Sequence, residues 1–250
     1  MVTERQQRIV ASVLAAVDYW LPSEIDVDDS NVGEVFGVAA TRHAANLLSG
    51  ELDLAVAGRW SLTRLLGRSI TESWLWANLL LLDGEGGIER LMAEDANHQH
   101  RLATGHNALW DRLESGRSDR KDLRGLSVVP SGEWRRPNIQ SLAHDVRSLR
   151  ERRGLGGGIA EVSYELVYRW ESVHDVHVGF DLLSRYLAEL TSSAATVLAE
   201  PEEEDVNHFR GPDSLHQDAR LVLDLVGVYL IAVGRGGEVA AVANAISVDD

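Results

Sequence analysis

Residues 68–82, RSITESWLWANLLLL, constrain this chain more than any other stretch. At helical spacing its apolar side chains fall on nearly every face, and such a helix is stable only where other helices wall it in. No segment elsewhere shows the strict apolar/polar alternation of a half-buried strand. The expected fold is therefore all-α, a multi-helix bundle of eight or nine helices, built around that buried segment.

In chain order, Glu4–Leu21 reads as a helix with Ile9, Val13, Ala16 and Trp20 on one stripe, stopped by Pro22. Asn31 followed by Glu34 resembles a capping box, opening a second helix that ends near Ser49-Gly50. Leu52–Leu82 reads as one long helical region with a bend at Gly58 or Gly67. DGEGG at 83–87 is a turn, and Ile88–Thr104 and Asn107–Leu113 come next as helices. Residues 115–137 lose periodicity and read as a loop. Asn138 then caps a helix to Arg153, and GLGGG at 154–158 breaks the chain. Glu161–Leu198 reads as helical, either continuous or broken at Val178-Gly179. An acidic, proline-bounded loop leads to Pro212–Val233 and a short last helix ending at Ala245. This arrangement predicts one domain, 1–250: N-terminal helices over 1–50, a core over 52–198 and an appended helical hairpin over 212–246. Within the core, helices 62–82 and 161–190 are expected to pack together.

Several chemistries are excluded or unsupported. The chain has no cysteine, so disulfides, thiolate metal sites and a cysteine nucleophile are out. There is no Gly-x-Ser-x-Gly, no His-Glu-x-x-His and no phosphate-binding Walker loop. The longest nearly apolar run, Leu221–Val233, is interrupted by Asp224 and falls short of the ~20 residues a membrane span needs. With no signal-peptide pattern at the N-terminus, the expected location is the cytoplasm. The net charge is −15, but residues 112–153 carry eleven Lys+Arg against six Asp+Glu. Asymmetry of this kind suits an anionic partner or an internal acidic contact.

The densest chemistry lies in Tyr164–Tyr186, which holds Arg169, Glu171, Ser172, His174, Asp175 and His177 within nine residues. Glu171 and His174 form one Glu-x-x-His; helical di-metal sites need two plus further carboxylates, so neither a metal nor a cofactor is expected. Arg169–His174 has the Arg-x4-His spacing found in helical ribonucleases of the HEPN type. Arg101–His106 and Arg210–His216 have similar spacing, but only Arg169–His174 lies on the aromatic-rich helix. Histidine as general acid/base with arginine holding phosphate charge suffices for metal-free RNA cleavage. His177 is a second candidate base. Arg68 and Glu72 sit one turn apart on the apolar helix. Buried separately they would be costly, so each is expected to meet a partner, forming a polar core cluster with Tyr168 and Ser172. Arg150, Arg152 and Arg153 beside the glycine run make a candidate anion site.

Three pieces together resemble a family of uncharacterised bacterial all-helical proteins, a domain of unknown function. They are Arg68-Ser-Ile-Thr-Glu72, the stretch from Trp134 through Pro137 to Ala143, and Tyr164…Tyr168-x3-Ser172 followed by histidine. The family shows Arg-x3-Glu on an early buried helix and a later Tyr-x3-Ser-x3-His. The resemblance covers roughly residues 35–195. The family spacing puts histidine at 176, where this chain has Val176 between His174 and His177. The resemblance implies a helical fold, and with HEPN-type kinship it implies an RNA-acting protein of the toxin or defence kind, working as a homodimer. The competing expectation is a non-catalytic binding or scaffold module with a protein partner.

Overall fold

The computed structural model describes residues 2–28, 30–96, 139–162, 164 and 212–244. These form an all-α, multi-helix bundle, with no strand among the described residues. In chain order the helices are α1 (Glu4–Trp20), α2 (Val32–Val56), α3 (Trp60–Asp83), α4 (85–96, as far as the described residues run), α5 (Ile139–Arg152), α6 (Gly158–Val162), α7 (Pro212–Ala232) and α8 (Val239–Asn244), with a 3-10 turn at Gly236–Glu238.

The apolar stretch is the centre of the bundle, as its pattern requires. Ile70, Trp74, Leu75 and Ala77 of α3 are fully buried, and Leu79 to Leu82 are also buried. α2 covers one side of α3, α7 a second and α5 a third. α2 runs antiparallel to α3. Gly33 lies against Gly84 at one end, and Gly50 lies beside the Leu66 side chain at the other. α7 runs parallel to α3, because Trp74 meets Asp224 while Ala232 shares a cleft with Leu80, Leu81 and Gly84. α1 packs on α7 and α2 through Val10, Val13, Ala16 and Val17.

Local chemistry explains most boundaries. Thr3 and Gln6 make a reciprocal capping box at the start of α1. Pro22 comes just after its end, where Arg42 of α2 donates to the carbonyls of Leu21 and Pro22 at 3.3 and 3.0 Å.

Several boundaries differ from expectation. Asn31 does not cap α2 with its side chain. Its Oδ1 accepts from the Asp28 N–H at 2.9 Å, and its Nδ2 donates to the Asp26 carbonyl at 2.8 Å, so it closes the preceding loop instead. α2 does not end at Ser49-Gly50, because the buried stripe continues through Leu48, Glu51 and Ala55. It ends at Gly58, which holds the positive φ of 73° that closes a helix. The Arg59 N–H reaches back to the Leu54 carbonyl at 2.8 Å. Leu52–Leu82 is thus two helices, not one bent one. The turn at 83–87 contracts to Gly84, and α4 begins at residue 85, not at Ile88. α7 contributes Leu215, Ala219, Val222, Leu225, Val226 and Leu230 to the shared core, where they are fully buried.

Candidate functional site

Trp76 and Glu72 are only partly buried, and so are Arg68 and Ser69, while Leu65 is exposed. At helical spacing these residues line one stripe, the least covered face of α3. Arg68 and Glu72 therefore share the face of the central helix that is least covered among the described residues.

Glu72 is held there at a cost. Burial pushes its carboxyl above the usual carboxylate range, the Arg68 guanidinium pulls it down, and Glu94 of α4 pushes it up again. Glu94 itself buries its Oε2 with no hydrogen-bond partner. Sequence reading missed Glu94, because the α3–α4 pairing that brings it to Glu72 is tertiary. A raised folded-state value means that Glu72 contributes stability below the ordinary carboxylate range. That contribution is lost as pH rises through the raised value. Glu72→Gln should therefore match the native chain below the ordinary carboxylate range and gain on it as pH rises from there through the raised value, levelling off above it. Urea unfolding at each pH checks this, and a difference independent of pH contradicts it.

The helix register adds two buried carboxylates. Asp218 lies six residues before Asp224, as Arg68 lies six before Trp74, so both sit about 9 Å along parallel helices from the Trp74–Asp224 contact. Glu51 comes directly after Gly50, which packs beside Leu66. Glu51 and Asp218 are 0% and 1% exposed, and Thr71, between Arg68 and Glu72, buries its hydroxyl without a partner. This end of the bundle is thus a polar tier supplied by α2, α3 and α7. Glu51 and Asp218 are too deep to touch a macromolecule, so they can only brace other groups.

The best-formed polar cluster lies two turns further along α3. Arg150 of α5 donates to Asp224 Oδ2 at 2.7 Å and Oδ1 at 2.9 Å, and to Asn78 Oδ1 at 2.7 Å. It also donates to the carbonyls of Gly156 at 3.0 Å and Leu155 at 3.2 Å. Trp74 Nε1 donates to Asp224 at 2.9 Å, and the guanidinium stands 5.1 Å from a Trp74 ring centroid. A guanidinium has five N–H donors, and all five are spent. Arg150 is therefore a structural cation with nothing left for a phosphate, which corrects its expected role in an anion site. Arg153 donates to the Leu82 carbonyl at 3.3 Å. Arg152 is exposed and borders a cleft of about 250 Å³ that it shares with Arg90, Asp83 and Asp145. Arg90 is already paired with Asp145 and donates to Ser141 at 3.1 Å. Two carboxylates beside these arginines leave little net attraction for an anion.

No protein-family model, curated protein or solved structure matches the chain.

The remaining expected site residues, Tyr168, Arg169, Ser172, His174 and His177, lie outside the described residues, as does the expected packing of helix 161–190 on α3. A cleft of about 520 Å³ opens at the far end of α3 between Asn31, Gly33, Glu34, Gly84, Glu85 and Ala232. It is bordered by two carboxylates and is remote from Glu72. Among the described residues no three carboxylates or histidines gather as a metal site, and no helix is long and apolar enough to cross a membrane.

Proposed function

We propose that this protein acts on RNA as a HEPN-like, metal-independent ribonuclease of the toxin or defence-effector kind, in the cytoplasm and as a homodimer. In this reading His174 and Arg169 carry the chemistry. His174, with His177 as the second base, moves the proton between the attacking 2′-hydroxyl and the leaving oxygen. Arg169 holds the charge that develops on phosphate. The observation that carries the reading is the open stripe of α3. It sets a guanidinium, Arg68, beside a carboxyl, Glu72, whose burial and whose neighbour Glu94 favour a retained proton. A carboxyl tuned upward in this way keeps its proton to higher pH than an ordinary one, as acid/base work requires. In this reading Tyr168 and Ser172 are assigned to the same polar cluster on their sequence spacing alone.

The experiment is cleavage of a fluorophore-labelled single-stranded RNA in EDTA by the native chain, Arg169→Ala, His174→Ala and Glu72→Gln. The native chain should cut, and His174→Ala should lose roughly 10²–10⁴-fold. Equal rates in all four would remove the reading.

One observation favours the competing reading, a non-catalytic helical binding or scaffold module. The strongest polar cluster, Arg150 with Asp224, Asn78 and Trp74, is satisfied within the chain and offers nothing to a substrate.

A further inference from the structure

We propose that the Arg150–Asp224 pair is a latch on the glycine turn 154–158, fixing that turn in one conformation and with it the point where α6 leaves the core. Such a latch is independent of RNA cleavage.

The turn has little means of holding itself. Gly154 and Gly156 sit at φ 70° and 71°, a region glycine enters freely and also leaves freely. Two backbone bonds close the end of α5, from Gly154 N–H to the Glu151 carbonyl at 3.1 Å and from Leu155 N–H to the Arg150 carbonyl at 2.9 Å. These fix Gly154 but leave the peptides after it. The next two carbonyls, of Leu155 and Gly156, are gripped by the Arg150 side chain. Gly157 then folds back so closely that a Cβ there would meet the Arg147 Cγ at 2.6 Å. Ala160, fully buried, seats the short helix α6 against the core.

Arg150 keeps this grip only while its other donors are engaged. Three of them go to α7 and α3, through Asp224 and Asn78. Its side chain is 3% exposed against 26% for Asp224, so the aspartate is the half of the latch that solvent reaches. Weakening the pair from the α7 side leaves a buried cation poorly held. The guanidinium must then reorient, and the two turn carbonyls lose their donor. A shift of α7 relative to α5 is thereby converted into a change at 155–158, just before the chain enters the 164–186 segment.

Hydrogen exchange followed by mass spectrometry on the full chain tests this, comparing native protein with Asp224→Asn and Gly156→Ala. Asp224→Asn keeps the side chain's shape and removes its charge. Gly156→Ala leaves the ion pair in place and strains only the turn. In both variants, peptides covering 153–162 should exchange about tenfold faster than native, beyond any change in the α2 core around Ala44–Leu48. Trypsin should also cut sooner after Arg152 and Arg153. An increase at 153–162 no larger than that in α2 would overturn the latch. Should Asp224→Asn fail to fold, Arg150→Lys decides, because it keeps a cation opposite Asp224 and removes the donors that reach the two turn carbonyls: local acceleration at 153–162 supports the proposal and its absence refutes it.

Discussion

Asp224→Ala will lower the stability of this protein by about 3–5 kcal/mol, the cost of stranding one half of a buried ion pair. In a chain of this size that corresponds to a fall in melting temperature on the order of 10 °C. Arg150→Ala should sit at the lower end of the same range, and the burial of the two partners says why. Removing the aspartate abandons a guanidinium whose side chain is 3% exposed, whereas removing the arginine abandons a carboxylate that is 26% exposed and can take up water. Arg150→Ala still leaves Asn78 Oδ1 and two turn carbonyls without their donor, so it will not be mild. Arg150→Met combined with Asp224→Leu should recover only part of the loss: it removes both charges, but Asn78 Oδ1, the two turn carbonyls and the Trp74 Nε1–H still lose their partners. Urea unfolding of the three variants measures all of this. Losses under about 1 kcal/mol in both single variants would mean that water reaches the pair far more freely than its burial implies.

The cluster also marks where sequence reading stops. The central position of α3 was legible from residues 68–82 alone, because an all-round apolar helix has one physical solution. α1, α5 and α7 were legible for a similar reason, with a periodic stripe bounded by Pro22, the glycine run or Pro212. Asp224, by contrast, read as an interruption in an apolar run, and Arg150 as one more basic residue beside glycines. What joins them is a contact across 74 positions of chain, and no local pattern encodes it. A usable signal did exist: Asp224 inside the apolar run Leu221–Val233 and Asn78 inside the apolar run of α3 must both find partners. Arg68 and Glu72, four apart in sequence, both lie on α3. The neighbour that tunes Glu72, Glu94, was not legible, because it depends on how α4 folds back after Gly84. Asn31 and Glu34 carried a helix-start pattern whose first member is used elsewhere, since its amide serves the loop before it.

Glycine placement misled the reading of α2, and it supplies a second sharp prediction. Gly33 and Gly50 lie on the same helix, yet their alanine variants should move stability in opposite directions. A Cβ at Gly33 would stand 2.6 Å from the Gly84 Cα and 3.0 Å from the Leu80 carbonyl oxygen. Those atoms are backbone, so α2 and the end of α3 must separate to admit a methyl group. The expected cost is about 3 kcal/mol, the upper part of the range for overpacking. At Gly37 the obstacle is the Leu81 side chain at 2.6 Å, which can rotate, and the cost should fall to roughly 1 kcal/mol. A Cβ at Gly50 meets only Leu66 Cδ1, at 3.5 Å, an ordinary contact. Because α2 continues past this position to Val56, Gly50→Ala removes a flexible residue from a helix interior and should stabilise by roughly 0.5–1 kcal/mol. Thermal unfolding of the three variants gives the order directly. Had α2 ended at Ser49-Gly50, that same alanine would have to occupy a helix-terminating conformation and would destabilise, so the sign at Gly50 tests the helix boundary itself.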